Sequence, residues 1–327
     1  MKESDIRPDN LKDAQTQCIE YDINFLQSNA ENFIDVDCPA CNTEQSTSLF
    51  NKNGFFYNKC PGCNMLYMSP RPTEEILAEF YANSPNYKYF NDFIFPASKE
   101  ARRTKIFIPR VEKVIYYCEK YGVDRNKILE IGAAHGIFCE EMVINNAFSE
   151  VVGIEASDSL YEQASQMGFR IYNGILEELE INERFNVVAL FEVIEHIANP
   201  QKFLDKVFLL VEENGLLIMS FPNYDGFDIA TLGTHSDSID HEHLNYFNEK
   251  AIRLILENSG FSPLIIETPG ELDVELVRKK VLSGEFEGNG FLNKVCVDDF
   301  DSTGRAFQDF LKANRLSSSM LIVAIKR

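Results

Sequence analysis

From Lys127 onward, short continuous apolar runs alternate with stretches whose apolar residues recur at helical spacing. Lys127-Ile128-Leu129-Glu130-Ile131 predicts a buried strand that runs into Gly132-Ala133-Ala134-His135-Gly136 and then a helix through Met142. Val151 to Ile154 predicts a second strand, ending at Glu155. Ser159 and Glu162 offer a capping box for a helix with Leu160, Ala164 and Met167 on one face, stopped by Gly168. A third strand, Phe169 to Tyr172, leads into the turn Gly174-Ile175-Leu176-Glu177, and a fourth spans Phe185 to Phe191. Asn199 and Pro200 open a helix with Leu204, Val207, Phe208 and Val211 at i, i+3, i+4 and i+7. Asn214-Gly215 is expected to end that helix before a fifth strand, Leu216 to Phe221. Glu249 to Asn258 reads as a helix, with strands at Leu264 to Ile266 and Ser319 to Ile325. Strands alternating with helices imply an α/β fold built on a parallel sheet.

The flanks have a different grain. Helices are expected at Thr73 to Tyr81 and about Ala97 to Tyr121, with the aromatic run Tyr81, Tyr87, Tyr89, Phe90, Phe93 and Phe95 between them. That run can pack between the helices or serve as a lid. Pro222 to Ile239 is a long polar connection, the kind of loop that often carries function. Pro269 to Leu316 holds two helical stretches and reads as an insertion that covers a pocket or makes a homodimer contact. The expected organisation is an N-terminal segment, 1–70, with a small module at 36–70, a helical linker or lid at 71–125, and the main domain at 126–327 with its insertion at about 269–316.

Composition narrows the partners. The 327 residues carry 51 acidic against 31 basic side chains, a formal net charge of -20. Phosphate backbones require a basic surface, so nucleic acid is an unlikely partner by charge. Arg102, Arg103 and Arg110 stand out in so acidic a chain, as anion ligands or as surface ion pairs. No apolar stretch reaches the roughly 18 residues of a membrane span, and the first residues lack the pattern of a secretory signal. A cytoplasmic location is expected.

Four of the eight cysteines form two C-x2-C pairs, Cys38/Cys41 and Cys60/Cys63, separated by 18 residues. Each pair suits a tight turn that aims two thiolates at one ion, and two such turns complete a tetrahedral zinc site with no open position. A structural Zn2+ is therefore expected, supplying folding energy that so short a segment cannot obtain from a core.

The chemistry of the main domain centres on its strand tips. Glycines after the first strand allow a sharp turn and a close approach to a ligand. An acid at the tip of the second strand, Glu155, can accept hydrogen bonds from both hydroxyls of a ribose. A dinucleotide-binding G-x-G-x-x-G fails here, because Ala134 and Ile137 occupy its second and third glycine positions. Instead, Leu129-Glu130-Ile131-Gly132-Ala133-Ala134-His135-Gly136 resembles the first motif of class I methyltransferases, which use S-adenosylmethionine. Glu155 and the segment Phe191 to Pro200 match later motifs of that family in order. The resemblance implies a Rossmann-like, seven-stranded methyltransferase sheet beside a zinc-ribbon-type module. It also implies cofactor contacts from Glu130, Gly132, Ala133, Gly136, Glu155, Ala156, Ile175, Leu176, Phe191 and Glu192.

On the acceptor side, the polar loop ends in Asp240-His241-Glu242-His243-Leu244-Asn245-Tyr246-Phe247. A hydroxyl or carbon acceptor must lose a proton, and a positioned His or Glu is the expected base. The His-x-His pair could alternatively bind a metal or pack the loop. Together with the cysteine pairs and Met68-Ser69-Pro70-Arg71-Pro72-Thr73, this stretch resembles zinc-containing sugar methyltransferases. In those enzymes a His-Glu-His stretch supplies the base, which makes His243, Glu242 and His241 the catalytic candidates and a sugar or nucleotide sugar the acceptor. The C-methyltransferases of that group carry Tyr where this chain has Asp240, so O-methylation is as much expected as C-methylation. The alternatives are methylation of RNA or another small molecule, and a non-catalytic cofactor-binding module.

Overall fold

The computed structural model describes residues 1–44 and 47–327. Its strands are β1 (Thr47–Lys52), β2 (Phe55–Lys59), β3 (Leu66–Met68), β4 (Lys127–Ile131), β5 (Glu150–Glu155), β6 (Arg170–Asn173), β7 (Phe185–Phe191), β8 (Val211–Pro222), β9 (Asn245–Tyr246), β10 (Phe261–Glu267) and β11 (Ser319–Lys326). They form a four-stranded sheet in the order β1-β2-β3-β9 and a seven-stranded mixed sheet in the order β10-β11-β8-β7-β4-β5-β6. The chain divides into two compact units. One comprises Met1–Lys99, Pro222–Ala251 and Glu267–Met320, and the other Glu100–Phe221, Ile252–Ile266 and Leu321–Arg327.

The second unit carries the Rossmann-like sheet. β4 pairs in parallel with β5 on one side and β7 on the other, and β6 and β8 extend the sheet in parallel outward. The order therefore reverses at β4, and in open α/β sheets ligands bind outside the carboxyl ends of strands at such a switch. The near-continuous apolar runs of β4 and β7 are buried on both faces, as helix-covered parallel strands require. Tyr117, Ile128, Phe138, Met142, Val187, Leu216, Ile218 and Val323 share one core beneath that switch.

Two local expectations in this unit are corrected. The helix after β5 spans Asp158–Ala164 with Ser157 at its N-cap, so Ser159 and Glu162 lie inside it and form no capping box. Glu155 accepts the Ser157 N–H at 2.8 Å, which sets the turn before the helix. The helix opened by Asn199 and Pro200 stops at Leu210, not at Asn214-Gly215. Val211 already pairs with Phe185, whereas Val187 pairs with Leu216, so the intervening residues of β8 bulge from the ladder. A Cβ on Gly215 would lie 2.8 Å from the Asn186 carbonyl, which explains the glycine there. The β-branched Val211 is completely buried as a strand residue, and sheet burial overrode the helical spacing.

The first unit opens with a long helix, Lys12–Ser28, which no sequence signal singled out. Thr73 caps the helix Glu74–Asn83 by accepting the Ile76 N–H. The chain from Pro85 to Tyr121, including the aromatic run from Tyr87 to Phe95, is helical with two π turns, not two helices joined by a loop, and Tyr81 belongs to the preceding helix. The polar connection after β8 likewise contains a helix, Phe227–Leu232. Leu232 packs with Val274, Val277, Leu292, Cys296 and Leu311, so that helix and the segment expected as an insertion share a small core.

Candidate functional site

In the second unit, the tip of β4 is built for close approach. Gly132 has φ of +77°, and a Cβ there would meet Val193 at 2.8 Å. The Gly132 and Ala133 amides both donate to the Ile154 carbonyl at 2.9 Å, which ties the loop to β5. Across it, Gly153 makes room for the Ala133 methyl, 3.1 Å from where its own Cβ would be. Gly136, with φ of +70°, ends the loop and opens the following helix, Ile137–Ile144.

Glu155 is buried at the end of β5 and accepts the Ala134 N–H at 2.7 Å on one oxygen and the Ser157 N–H at 2.8 Å on the other. Burial raises its pKa, and those amides oppose the rise. A carboxylate has about four lone-pair sites, so two backbone bonds leave capacity for a diol. Ala156 beside it is exposed, as is Ile175, whereas Leu176 is buried.

Glu130 lies behind the loop. The Cys139 thiol donates to it at 3.1 Å, and burial raises its pKa to about 8, against the pull of Arg110. Arg110 lies over the Phe191 ring at 4.5 Å and donates to Glu192 at 3.3 Å. Ser220 donates to the same Glu192 oxygen at 2.5 Å, and Phe138 packs edge-on to Phe191. Glu192, at φ of +57°, donates its amide to the Ser220 carbonyl, which turns the chain off the end of β7. All ten expected cofactor-contact residues belong to this unit, from the ends of β4, β5 and β7 and the turn after β6. Arg110 joins that group on geometry; its rarity in an acidic chain was the only sequence signal for it.

In the first unit, the four expected cysteines converge. Cys38 and Cys63 sulfurs are 3.5 Å apart, Cys41 and Cys60 3.4 Å, and all four lie within 4.8 Å of one another. Asn42 and Asn64 follow the pairs at positive φ and donate back to the Cys38 and Cys60 carbonyls, closing two matching turns. At Gly62 a Cβ would meet Thr43 at 2.8 Å and approach the Cys41 sulfur at 3.4 Å. Four thiols in this arrangement could hold one metal ion, and the cluster fits a small N-terminal module.

The Asp240–Phe247 stretch sits on that module's sheet. β9 pairs with β3, and the fully buried Arg71 donates to the Met68 and Leu244 carbonyls and to Asn245, clamping the strand. Lys52 donates to the Ser236 and Ile239 carbonyls, and the Tyr57 hydroxyl to the Asp240 carbonyl. The Asp240 carboxylate accepts the Glu242 and His243 amides, each at 2.9 Å. His243 Nδ1 lies 3.1 Å from the Ser238 carbonyl and 3.3 Å from the second Asp240 oxygen. Both groups accept, so Nδ1 carries the proton that faces them.

The three catalytic candidates do not act as one group. His241 is buried edge-on to Phe80, and burial lowers its pKa to about 4. Glu242 accepts from Asn86 at 2.7 Å, and burial raises it to about 7. His243 is only partly buried, and a carbonyl and a carboxylate face its Nδ1. Asp240, first seen only as a departure from a family pattern, is the residue that orients it.

A methyltransferase-domain family profile matches residues 100–265. The chain is 28% identical over 115 residues to a ubiquinone biosynthesis O-methyltransferase of Bradyrhizobium diazoefficiens, covering 33% of this chain and 45% of that protein. It is 34% identical over 132 residues to the protein of the same name in Maricaulis maris, covering 36% and 51%. The matched region thus spans about half the length of these curated relatives. Among solved structures it is similar in fold to the plantazolicin methyltransferase BpumL in complex with an analog and SAH, with a TM-score of 0.51 at 11% identity over 77% of this chain and 94% of that one. Among the described residues, no helix is long and apolar enough to cross a membrane. With the profile matching half of its length and the seven-stranded sheet reversing at β4, the chain belongs to the methyltransferase-domain family and is a class I S-adenosylmethionine-dependent methyltransferase.

Proposed function

We propose that this enzyme methylates a hydroxyl or carbon of a sugar, nucleotide sugar or glycan intermediate, with His243 as the base and Glu242 assisting. The observation that carries the reading is the placement of His243, with Nδ1–H held by the Ser238 carbonyl and the Asp240 carboxylate. Bound S-adenosylmethionine supplies an electrophilic methyl group on a sulfonium. For an alcohol acceptor, His243 would take the hydroxyl proton and Asp240 would stabilise the resulting imidazolium, while the cofactor, when bound, would give up its methyl group and leave as the neutral thioether S-adenosylhomocysteine. The resemblance of the cysteine pairs and the His-Glu-His stretch to sugar methyltransferases supports the acceptor class, and the net charge of -20 disfavours RNA.

The cofactor is assigned to the loop from Gly132 to Gly136, Glu130, Glu155, Ala156, Ile175, Leu176, Phe191 and Glu192. The left-handed turn at Gly132 and the remaining acceptor capacity of Glu155 fit a nucleoside. The four cysteines are assigned to one structural zinc. The curated relatives are named as O-methyltransferases, which favours oxygen over carbon and keeps a non-sugar hydroxyl as the second reading. The test is transfer of a labelled methyl group to a panel of nucleotide sugars, glycan intermediates and phenols. Labelled sugar products support the proposal; labelling of phenols alone overturns the acceptor class.

A further inference from the structure

A second group of metal-type ligands lies in the first unit, outside the four cysteines. Asp22 comes from the N-terminal helix Lys12–Ser28, and His241 and Glu242 come from the loop more than 200 residues later. One donor atom from each lies within 4.8 Å of the others, and His241 Nε2 is 3.7 Å from Glu242 Oε1.

We propose that Asp22, His241 and Glu242 form a binding site for a divalent transition-metal cation. His241 is 4% exposed, and its Nε2 makes no hydrogen bond among the described residues while facing the two carboxylates. A neutral imidazole lone pair and two carboxylates are a borderline-hard donor set, suited to Mn2+, Fe2+ or Zn2+ in place of Ca2+ or Mg2+. Asp22 is 1% exposed and is held by the Ser84 hydroxyl at 2.6 Å and the Asn86 amide. No lysine or arginine pairs with Asp22 among the described residues.

The outer groups match what ligating side chains require. Ser84 orients Asp22, the Asn86 side chain orients Glu242, and Gln15 in turn donates to Asn86 at 3.1 Å. Such partners fix ligand orientation, and their loss typically weakens metal binding by about 10- to 100-fold. Ligand bonds of about 2.0–2.2 Å give donor separations of roughly 3 to 4.4 Å, a range that includes the 3.7 Å between His241 Nε2 and Glu242 Oε1.

This site does not rest on the proposed reaction, and binding measures it without any acceptor. Full-length protein, with its cysteine cluster saturated with zinc, is titrated with Mn2+ and free Mn2+ is followed by electron paramagnetic resonance. Wild type is expected to bind about one Mn2+ per chain, and Asp22→Asn and His241→Ala to weaken binding at least tenfold. Asp22→Asn keeps the side-chain shape, so circular dichroism should be unchanged; Ser84→Ala provides a milder variant that leaves all three ligands in place. Absence of Mn2+ binding to folded wild type at millimolar metal overturns the site. Wild-type affinity in Asp22→Asn and His241→Ala also overturns it. The binding titration contains no acceptor or cofactor, so its outcome is read independently of the methylation assay.

Discussion

The two units differ in how they assemble chemistry. In the second, each cofactor-facing candidate follows a strand of one sheet, so strand order alone delivers Gly132, Glu155 and Glu192 to the same edge. In the first, the corresponding residues come from three distant stretches, and no repeating architecture delivers them. The Asp240–His243 turn is held by Lys52 and Tyr57 from the cysteine module and by the Arg71 clamp. The lesson is that a Rossmann-like sheet positions a common cofactor generically, whereas an acceptor site is built from side-chain hydrogen bonds particular to one protein.

That contrast can be broken by mutation. His243→Ala should lower turnover by about 10²- to 10⁴-fold, the usual contribution of a positioned base, while cofactor affinity stays unchanged. Asp240→Asn should share part of the loss by disturbing the tautomer, and normal rates in both variants would remove the base assignment. Cys63→Ser should abolish retention of about one zinc per chain and unfold the module around β1–β3, read by metal analysis and limited proteolysis. Full zinc content in that variant would contradict the four-cysteine assignment.

The smallest effect concerns pH and the second unit only. Glu130 is raised from 4.5 to about 8 by burial, so the folded chain holds a proton there that the unfolded chain releases. Its contribution to stability is complete below about pH 4.5 and is lost as pH rises toward 8, at up to about 1.4 kcal/mol per pH unit. Glu130→Gln should flatten that segment of the stability profile in denaturant titrations; an unchanged slope would show that another group controls it.

Legibility followed the same division. The central strands β4, β5 and β7 were readable because they are buried on both faces, and Glu249–Asn258 matches its expected helix end to end. The misplaced helix ends arose where a tertiary contact outweighed a local signal. Val211 was claimed by the sheet, and the turn before Asp158 was set by the Glu155 carboxylate. The two cysteine pairs were readable because their spacing encodes their geometry. Asp22 was not, since its link to His241 and Glu242 exists only once the N-terminal helix has packed against the turn at Ser84. His241, Glu242 and His243 are adjacent in sequence, which concealed that His241 and Glu242 approach Asp22 whereas His243 faces Ser238 and Asp240.

The division of labour between the units is tested most directly by titration calorimetry of S-adenosylhomocysteine into wild type, Glu155→Ala and His243→Ala. Removing Glu155 strands the Ala134 and Ser157 amides and takes away the proposed acceptor for the ribose hydroxyls. Losing hydrogen bonds to a charged group at about 1.5–3 kcal/mol predicts roughly 10- to 100-fold weaker binding, with His243→Ala indistinguishable from wild type. Wild-type affinity in Glu155→Ala, or a comparable loss in His243→Ala, would contradict the account.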